Sequence, residues 1–232
     1  MLPADLRTAE AELLEALRSA LDSGPRGRWT VDLRFEGLRL LAPVLRLAQA
    51  LAEEGRGFRL LFADAGAAAL ARRDGAGLAE RIASVADALR ARRGGGGPVP
   101  EEPLLLVAPS QAEYDTVAEL CEGHAGAVVL INASLEDAAV GIGSVARQRR
   151  RGFLAGWEAA YALIPRAGGA LRRAHPHDWE VYRLDRDGYR LAASSPQRPD
   201  GEQLDAVLAG EQASGLAGTL RSVDRLLEGL QN

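Results

Sequence analysis

Three short apolar runs in this chain each end at polar or small residues whose chemistry suits ligand binding. The runs and the residues that follow them are 58–62 with Asp64 and Gly66, 104–108 with Ser110, and 128–131 with Asn132. A carboxylate can hold a ligand hydroxyl or a cation, while a hydroxyl and an amide can each donate and accept hydrogen bonds. Buried parallel strands read as continuous apolar runs, and open α/β sheets bind ligands outside the carboxyl ends of their strands. We therefore expect these residues to border one crevice.

The same residues have structural roles that the local sequence favours. Asp64 precedes an alanine-rich helical stretch, where an aspartate commonly caps the first free amides. Ser110 stands three residues before Glu113, which is the spacing of a capping box. Asn132 suits ligand contact and loop bracing equally well. Capping is the favoured interpretation for Asp64 and Ser110, with ligand contact as the alternative.

Arginines form a second group of candidate binding residues. All 28 basic residues are arginine, and the absence of lysine excludes a Schiff-base lysine and a P-loop lysine. The candidates for binding an anion or a partner protein are Arg147, Arg149, Arg150, Arg151, Arg172 and Arg173. Guanidinium groups bind carboxylates and phosphates with two parallel hydrogen bonds, but a run of charges is ordinarily a solvated helix face.

No catalytic signature is evident in the sequence. Residues 141–146 fit the G-x-G-x-x-A form of a dinucleotide fingerprint, but they do not follow the preceding apolar run in the tight turn that it requires. Residues 175–178, His-Pro-His-Asp, lack the ligands from a second element that would complete a zinc site. The single cysteine, Cys121, indicates a buried thiol in a reducing compartment. We therefore expect no catalytic residue, metal or cofactor.

Composition indicates a globular protein of the cytoplasm. Hydrophobic residues make up 47% and charged residues 26% of the chain, and the net charge of −4 argues against nucleic acid as a partner. No apolar stretch approaches the roughly 20 residues of a membrane-spanning helix, and the charged amino terminus is not a secretory signal. Any membrane contact would then be peripheral.

Hydrophobic periodicity predicts an α/β fold, with a mostly parallel, Rossmann-like sheet flanked by helices and an antiparallel extension in the C-terminal third. We expect a single domain over residues 1–232, with a flexible internal linker at 91–103 that is rich in glycine and proline. An antiparallel β block is expected at about 153–194. Apolar and polar side chains alternate over residues 29–35, which suggests a strand nearer the sheet edge than the three apolar runs. The spacing of apolar residues over 78–89 predicts a helix.

Three further segments complete this scheme. Helix is an alternative to strand for residues 153–164, because Leu154, Trp157 and Tyr161 also fit helical spacing. Further helices are predicted over about 140–151 and 216–230.

A family resemblance rests on several short segments and on their order along the chain. They are 60–71, 107–110, 130–137, 151–154 and 176–179, together with Tyr161. The chain from about residue 9 to residue 208 resembles a domain-of-unknown-function family of cyanobacteria and chloroplasts. Members of that family include a chloroplast assembly factor needed for photosystem II accumulation, and a copy of the domain is attached to a chloroplast adenylate kinase. The resemblance implies no catalytic residue.

Two classes of function follow from these observations. The resemblance implies a non-enzymatic assembly or interaction factor for photosynthetic complexes, with photosystem II biogenesis as the process. Its partner would be a photosynthetic membrane-protein subunit or another assembly factor, met in the cytoplasm or at the surface of the thylakoid membrane. The alternative is a binding domain or enzyme for a nucleotide or phosphorylated small molecule at the carboxyl ends of the strands.

Overall fold

The regular elements alternate between helix and strand before the chain continues mainly in strands. The computed structural model describes residues 1–96, 101–135 and 152–209. The helices are α1 (Leu6–Asp22), α2 (Leu41–Glu53), α3 (Ala65–Asp74), α4 (Val85–Arg93) and α5 (Tyr114–Cys121), with 3-10 turns at Ala79–Arg81 and Gln111–Glu113 and helical residues at 152–154 and 201–209. The strands are β1 (Arg28–Leu33), β2 (Arg59–Phe62), β3 (Ile82–Ser84), β4 (Leu104–Val107), β5 (Val128–Ile131), β6 (Glu158–Arg166), β7 (Gly169–Ala174), β8 (Trp179–Asp185) and β9 (Gly188–Ser195).

The described residues divide into two compact units. The larger comprises those within 3–164 and 173–176, and the smaller comprises those within 1–2, 165–172 and 177–209. In the larger unit the strands follow the order β3-β2-β4-β5-β1-β6, and each neighbouring pair is parallel. The smaller unit contains the antiparallel pairs β7-β8 and β8-β9. The predicted α/β fold, mostly parallel with antiparallel C-terminal strands, is confirmed.

The core of the larger unit forms where the apolar runs of the sequence become buried strands. β4 and β5 are buried at every residue, and β2 is buried from Leu60 to Phe62. α1 buries a stripe at three- and four-residue steps, formed by Ala9, Leu13, Ala16, Leu17 and Ala20. From β1 to β3 successive strands are added in one direction across the sheet, and from β3 to β5 they are added in the opposite direction. Because the crossover connections are right-handed, α2 and α3 lie on one face of this sheet and α4 and α5 on the other.

Cys121 ends α5 and is buried, as the sequence predicted. Burial raises the pKa of its thiol to about 12, so the thiol remains protonated at physiological pH. Over the three described ranges, every helix is too short or too polar to cross a bilayer.

In the smaller unit, β8 and β9 form a hairpin whose turn has the sequence Asp185-Arg186-Asp187-Gly188. Asp185 pairs with Gly188, whose φ of 118° lies in a region that side chains disfavour. Trp179, Val181 and Tyr182 of β8 are buried, and so is Leu204 of the helical residues 201–209.

Two of the predicted elements differ from those observed. The strand β1 lies between β5 and β6, so it is central and not near an edge. Its alternation reflects one face that is buried and one that is only partly buried. Residues 78–89 do not form one helix, because β3 occupies Ile82–Ser84 and the Ser84 hydroxyl caps α4 by accepting the Asp87 N–H at 3.0 Å.

The segment from Phe153 also differs from its prediction. Residues 152–154 are helical, and β6 begins only at Glu158. β6 pairs in parallel with β1, so the predicted block at about 153–194 starts with a strand that continues the parallel sheet. α4 extends to Arg93, inside the linker expected at 91–103. The helices expected at about 140–151 and 216–230, and residues 97–100 of that linker, lie outside the described residues.

Candidate functional site

The three polar strand ends lie along one edge of the parallel sheet. Phe62 is in register with Val107, and Val107 is in register with Ile131, so β2, β4 and β5 end at the same level. Neighbouring strands are about 4.8 Å apart, which makes the segments after these strands neighbours in space. The order of the strands therefore brings Asp64, Ser110 and Asn132 to one edge of the sheet, in that order from β2 to β5.

The connections after β2 and β4 diverge to opposite faces of the sheet. β2 continues into α3 on one face of the sheet, whereas its neighbour β4 continues into α5 on the other face. Diverging connections of this kind mark the position where open α/β sheets bind ligands. The crevice expected from the sequence would lie here, with Asp64 following β2 and Ser110 following β4.

Asp64 is used as the cap of α3. Its Oδ1 accepts the N–H of Ala67 at 2.8 Å, and its backbone is extended, as an N-cap requires. Gly66 lies in the first turn of α3, where an added Cβ would stand 3.1 Å from Asp64 Oδ1. The segment after β2 is therefore organised by helix capping, and Asp64 is exposed to solvent.

Ser110 forms the capping box that its spacing from Glu113 predicted. The Ser110 hydroxyl donates to Glu113 Oε2 at 2.7 Å and accepts the N–H of Ala112 at 3.2 Å. Glu113 Oε2 also accepts the N–H of Ser110 at 2.9 Å. The hydroxyl is thus engaged both as donor and as acceptor by its own local segment.

Asn132 joins the ends of β5 and β1. Its Nδ2 donates to Leu33 O at 2.7 Å, and its Oδ1 accepts the N–H of Leu33 at 2.7 Å. Its own N–H donates to Val31 O at 2.7 Å. The amide side chain thus pairs with a backbone residue as a neighbouring strand would, which makes bracing its observed role.

Two residues at this edge adopt a left-handed backbone conformation, with positive φ, that the sequence analysis did not predict. Asn132 has a φ of 49° and Ala108, directly after β4, has a φ of 51°. Asparagine tolerates this region, whereas alanine is strained there by roughly 1–2 kcal/mol. Ala108 N still donates to Ile131 O at 2.8 Å, so the strained turn keeps the two strand ends paired.

Two of the six arginine candidates, Arg172 and Arg173, lie among the described residues. Arg172 belongs to the smaller unit, where its Nη1 lies 2.5 Å from Glu180 Oε2. Arg173 belongs to the larger unit. The four candidates Arg147, Arg149, Arg150 and Arg151, like the motif at 141–146, lie outside the described residues.

The His-Pro-His-Asp segment shows no metal-binding geometry. His175 packs edge-on against Trp29, with ring centroids 4.9 Å apart, while His177 and Asp178 are exposed. Throughout residues 1–96, 101–135 and 152–209, no three side chains of the His, Cys, Asp and Glu types converge as metal ligands would.

The structure adds an apolar cavity that the sequence interpretation missed. It has a volume of about 190 Å³ and lies between α1, α2 and the carboxyl ends of β1 and β5. Its lining residues are Arg7, Glu10, Ala11, Leu13, Leu14, Leu33, Leu40, Pro43, Val44, Arg46, Leu47 and Ile131. The apolar stripe of α1, which widens at Leu14, was the available signal, but only the packing of two helices turns that stripe into a cavity.

Comparisons with known proteins add one finding. The sequence profile of a family described as a domain of unknown function (DUF1995) matches residues 3–206. Searches of curated proteins and of solved structures found no match. The matched range is close to the span, about 9 to 208, over which the motifs resembled a domain-of-unknown-function family. The family description itself gives no activity, ligand or partner.

Proposed function

Because the chain belongs to the DUF1995 family, we propose that it is a non-enzymatic binding module that serves the assembly of photosynthetic complexes, with photosystem II biogenesis as its process. The resemblance to cyanobacterial and chloroplast proteins supports the photosynthetic part of this proposal. The geometry of the strand ends supports the non-enzymatic part.

The observation that carries the proposal is how the polar side chains at the strand ends are used. Asp64 caps a helix, Ser110 closes a capping box, and Asn132 pairs with Leu33 through both atoms of its amide. A catalytic or phosphate-binding site needs groups directed at a ligand, arranged in advance of its arrival. Here these groups are directed at the protein's own backbone and, for the Ser110 hydroxyl, also at the Glu113 carboxylate, which favours a module that acts through its surface.

The partner in this proposal is a photosynthetic membrane-protein subunit or another assembly factor. The protein meets it from the cytoplasm or while bound peripherally at the thylakoid membrane. The arginines Arg147, Arg149, Arg150 and Arg151 are the contact residues proposed from the sequence, because a cluster of guanidinium groups suits acidic loops on a partner.

A capture experiment tests the partner. Tagged protein is mixed with detergent-solubilised thylakoids from an oxygenic phototroph, and the retained subunits are identified. The proposal expects photosystem II subunits to be enriched by the wild type and lost when the four arginines are replaced by glutamine. The matched control replaces four exposed arginines elsewhere, Arg26, Arg39, Arg166 and Arg186, and should retain the partner. Equal recovery by the two variants would reject the arginine contact.

A ligand panel tests the competing function. Thermal shift and calorimetry with nucleotides and sugar phosphates should reveal no stabilisation of the wild type. Tight binding that is abolished by Asp64→Ala or Asn132→Ala would overturn the proposal and favour the small-molecule alternative. Deleting the gene from a cyanobacterial host should lower photosystem II accumulation, and unchanged accumulation would count against the assembly role.

A further inference from the structure

The cavity between α1 and α2 has the composition of a ligand pocket. Most of its walls are aliphatic, and Leu33, Val44 and Ile131 are almost completely buried. Small-molecule pockets are characteristically apolar with a few polar groups that orient the ligand. The polar groups here are three charged side chains at the rim, Arg7, Glu10 and Arg46.

The floor of the cavity is fixed before any ligand arrives. Leu33 ends β1 and Ile131 ends β5, and both side chains line the cavity. Asn132 ties these two strand ends together through its two hydrogen bonds to the backbone of Leu33. A wall that does not need to be ordered on binding reduces the entropic cost of binding.

The rim carries two cations and one anion. Glu10 engages Arg46 through both carboxylate oxygens, with Arg46 Nε donating to Oε2 at 2.8 Å and Nη2 donating to Oε1. These hydrogen bonds raise the pKa of Arg46. Arg7 lies 3.9 Å from Glu10 Oε2, beyond hydrogen-bond distance, and its side chain is 75% exposed. Arg7 is therefore the rim cation best able to meet an anionic group of a ligand.

We propose that this cavity binds a free carboxylate with a single unbranched hydrocarbon chain of about six to eight carbons. A dry cavity of about 150 Å³ lined by aliphatic and aromatic side chains accepts a six-carbon ring, so 190 Å³ suits a ligand slightly larger than that. The chain occupies the aliphatic walls and the carboxylate meets Arg7. This inference is independent of the proposed assembly role, because it concerns different residues and a different class of partner.

Chain length and head-group charge provide the first test. Calorimetry with straight-chain carboxylates of four to twelve carbons should show affinity rising about fourfold per methylene and levelling off near eight carbons. Octylammonium should bind several-fold more weakly than octanoate. Arg7→Gln should weaken octanoate binding about three- to fivefold, since an exposed ion pair contributes little more. Arg26→Gln, at an exposed arginine outside the cavity, should leave affinity unchanged.

Filling the cavity provides the second test. Leu14 is a partly buried lining residue, and Leu14→Trp should reduce octanoate affinity at least tenfold. Leu21→Trp is the matched control, because Leu21 is also partly buried on α1 but does not line the cavity. If circular dichroism shows that Leu14→Trp does not fold, Leu40→Trp blocks the same cavity from the segment before α2.

Three outcomes would overturn the proposal. Affinity that keeps rising beyond ten carbons would indicate non-specific surface adsorption. Equal binding of octanoate and octylammonium would remove the role of Arg7. Co-sedimentation with phosphatidylglycerol vesicles that depends on Leu14, without binding of free octanoate, would assign the cavity to a membrane surface instead.

Discussion

The carboxyl and amino edges of the parallel sheet are held together by different kinds of side chain. At the carboxyl edge, Asp64 and Ser110 bond within three residues of themselves. At the amino edge, Arg28 donates to Gly126 O at 2.8 Å and to His124 O at 2.9 Å, 98 and 96 residues away. At Asp64 and Ser110, short side chains therefore organise individual turns. Distant parts of the chain are joined by the Asn132 amide at the carboxyl edge and by the long Arg28 side chain at the amino edge.

Arg92 of α4, like Arg28, binds backbone carbonyl groups of a distant segment, here the end of α5. It donates to Leu120 O at 2.7 Å and to Glu122 O at 2.6 Å. These carbonyls belong to the last turn of the helix and its C-cap, where carbonyl groups lack helical partners and a cation is favourable. Arg28 and Arg92 thus have structural roles, and an arginine-rich composition is not by itself a sign of an anion-binding surface.

Close packing at the amino edge gives the largest expected effect. A Cβ at Gly126 would stand 2.6 Å from the carbonyl oxygen of Glu101, which is backbone and cannot rotate away. We expect Gly126→Ala to lower the free energy of unfolding by about 3 kcal/mol, as overpacking does. Urea denaturation measures the change. The control is Gly24→Ala, where no atom lies within 4 Å of the new methyl group and stability should be nearly unchanged.

The next effect concerns Asn132, which is the long-range brace of the carboxyl edge. Asn132→Ala removes both hydrogen bonds to Leu33 and places an alanine at a φ of 49°. We expect a loss of about 2–3 kcal/mol in urea denaturation. Asn132→Gly removes the same bonds without the backbone strain and should lose less. If the glycine variant were as stable as the wild type, the two bonds would contribute nothing and this edge would not be braced.

The sequence predicted the local contacts of this edge better than the distant ones. The caps at Asp64 and Ser110 follow from residues within three positions, so they could be recognised directly. The Asn132 brace joins residues 99 apart, and it exists only because β5 lies beside β1. The central position of β1 was unpredictable for the same reason, since alternation reports the burial of two faces and not the order of strands.

The two missed features of the fold have separate physical causes. β3 comprises only Ile82, Ala83 and Ser84, which is too short and too low in β-branched residues to show a strand period. The cavity between α1 and α2 depends on how two amphipathic helices pack over a sheet, which periodicity within each helix does not encode. Continuous apolar runs such as β4 and β5, by contrast, were recognisable because their burial on both faces leaves no room for polar residues.

Acid should weaken the amino edge. Burial lowers the pKa of His124, with a further lowering from Arg28 and Arg92, while a contact with Glu102 O at 3.0 Å and the charge of Glu101 act in the opposite direction. The unfolded chain therefore takes up a proton before the folded one does. His124 contributes stability that is present above its ordinary pKa of about 6.5 and is lost as the pH falls through the lower folded pKa.

Thermal unfolding between pH 7.5 and pH 5 measures this dependence. The wild-type melting temperature should fall as the pH decreases, and His124→Gln should flatten that slope. His177→Gln is the control, because His177 is exposed. An identical slope in the wild type and in His124→Gln would mean that the acid sensitivity arises elsewhere. The amino edge would then have no acid-sensitive contribution from His124.

Asp64 allows a direct comparison with Asp5, which caps a different helix, α1. Asp5 accepts the N–H of Thr8 at 2.8 Å in the same way that Asp64 accepts the N–H of Ala67. Asp64→Ala and Asp5→Ala should each cost about 1 kcal/mol in urea denaturation, and serine at either position should restore most of it. A stabilising effect of Asp64→Ala would show instead that the carboxylate is held at a cost to folding, as a functional residue can be.

The smallest expected effect concerns Ala108, the strained alanine at the end of β4. Its φ of 51° costs an alanine more than a glycine, but a glycine loses more backbone entropy on folding. The difference should leave Ala108→Gly more stable than the wild type by about 0.5 kcal/mol. Ala69→Gly, at an exposed position in the interior of α3, should destabilise by about 1 kcal/mol because no strain is relieved there. Opposite signs for the two substitutions would locate backbone strain at the carboxyl edge, whereas a loss at Ala108 would mean that the methyl group makes a contact worth more than the strain.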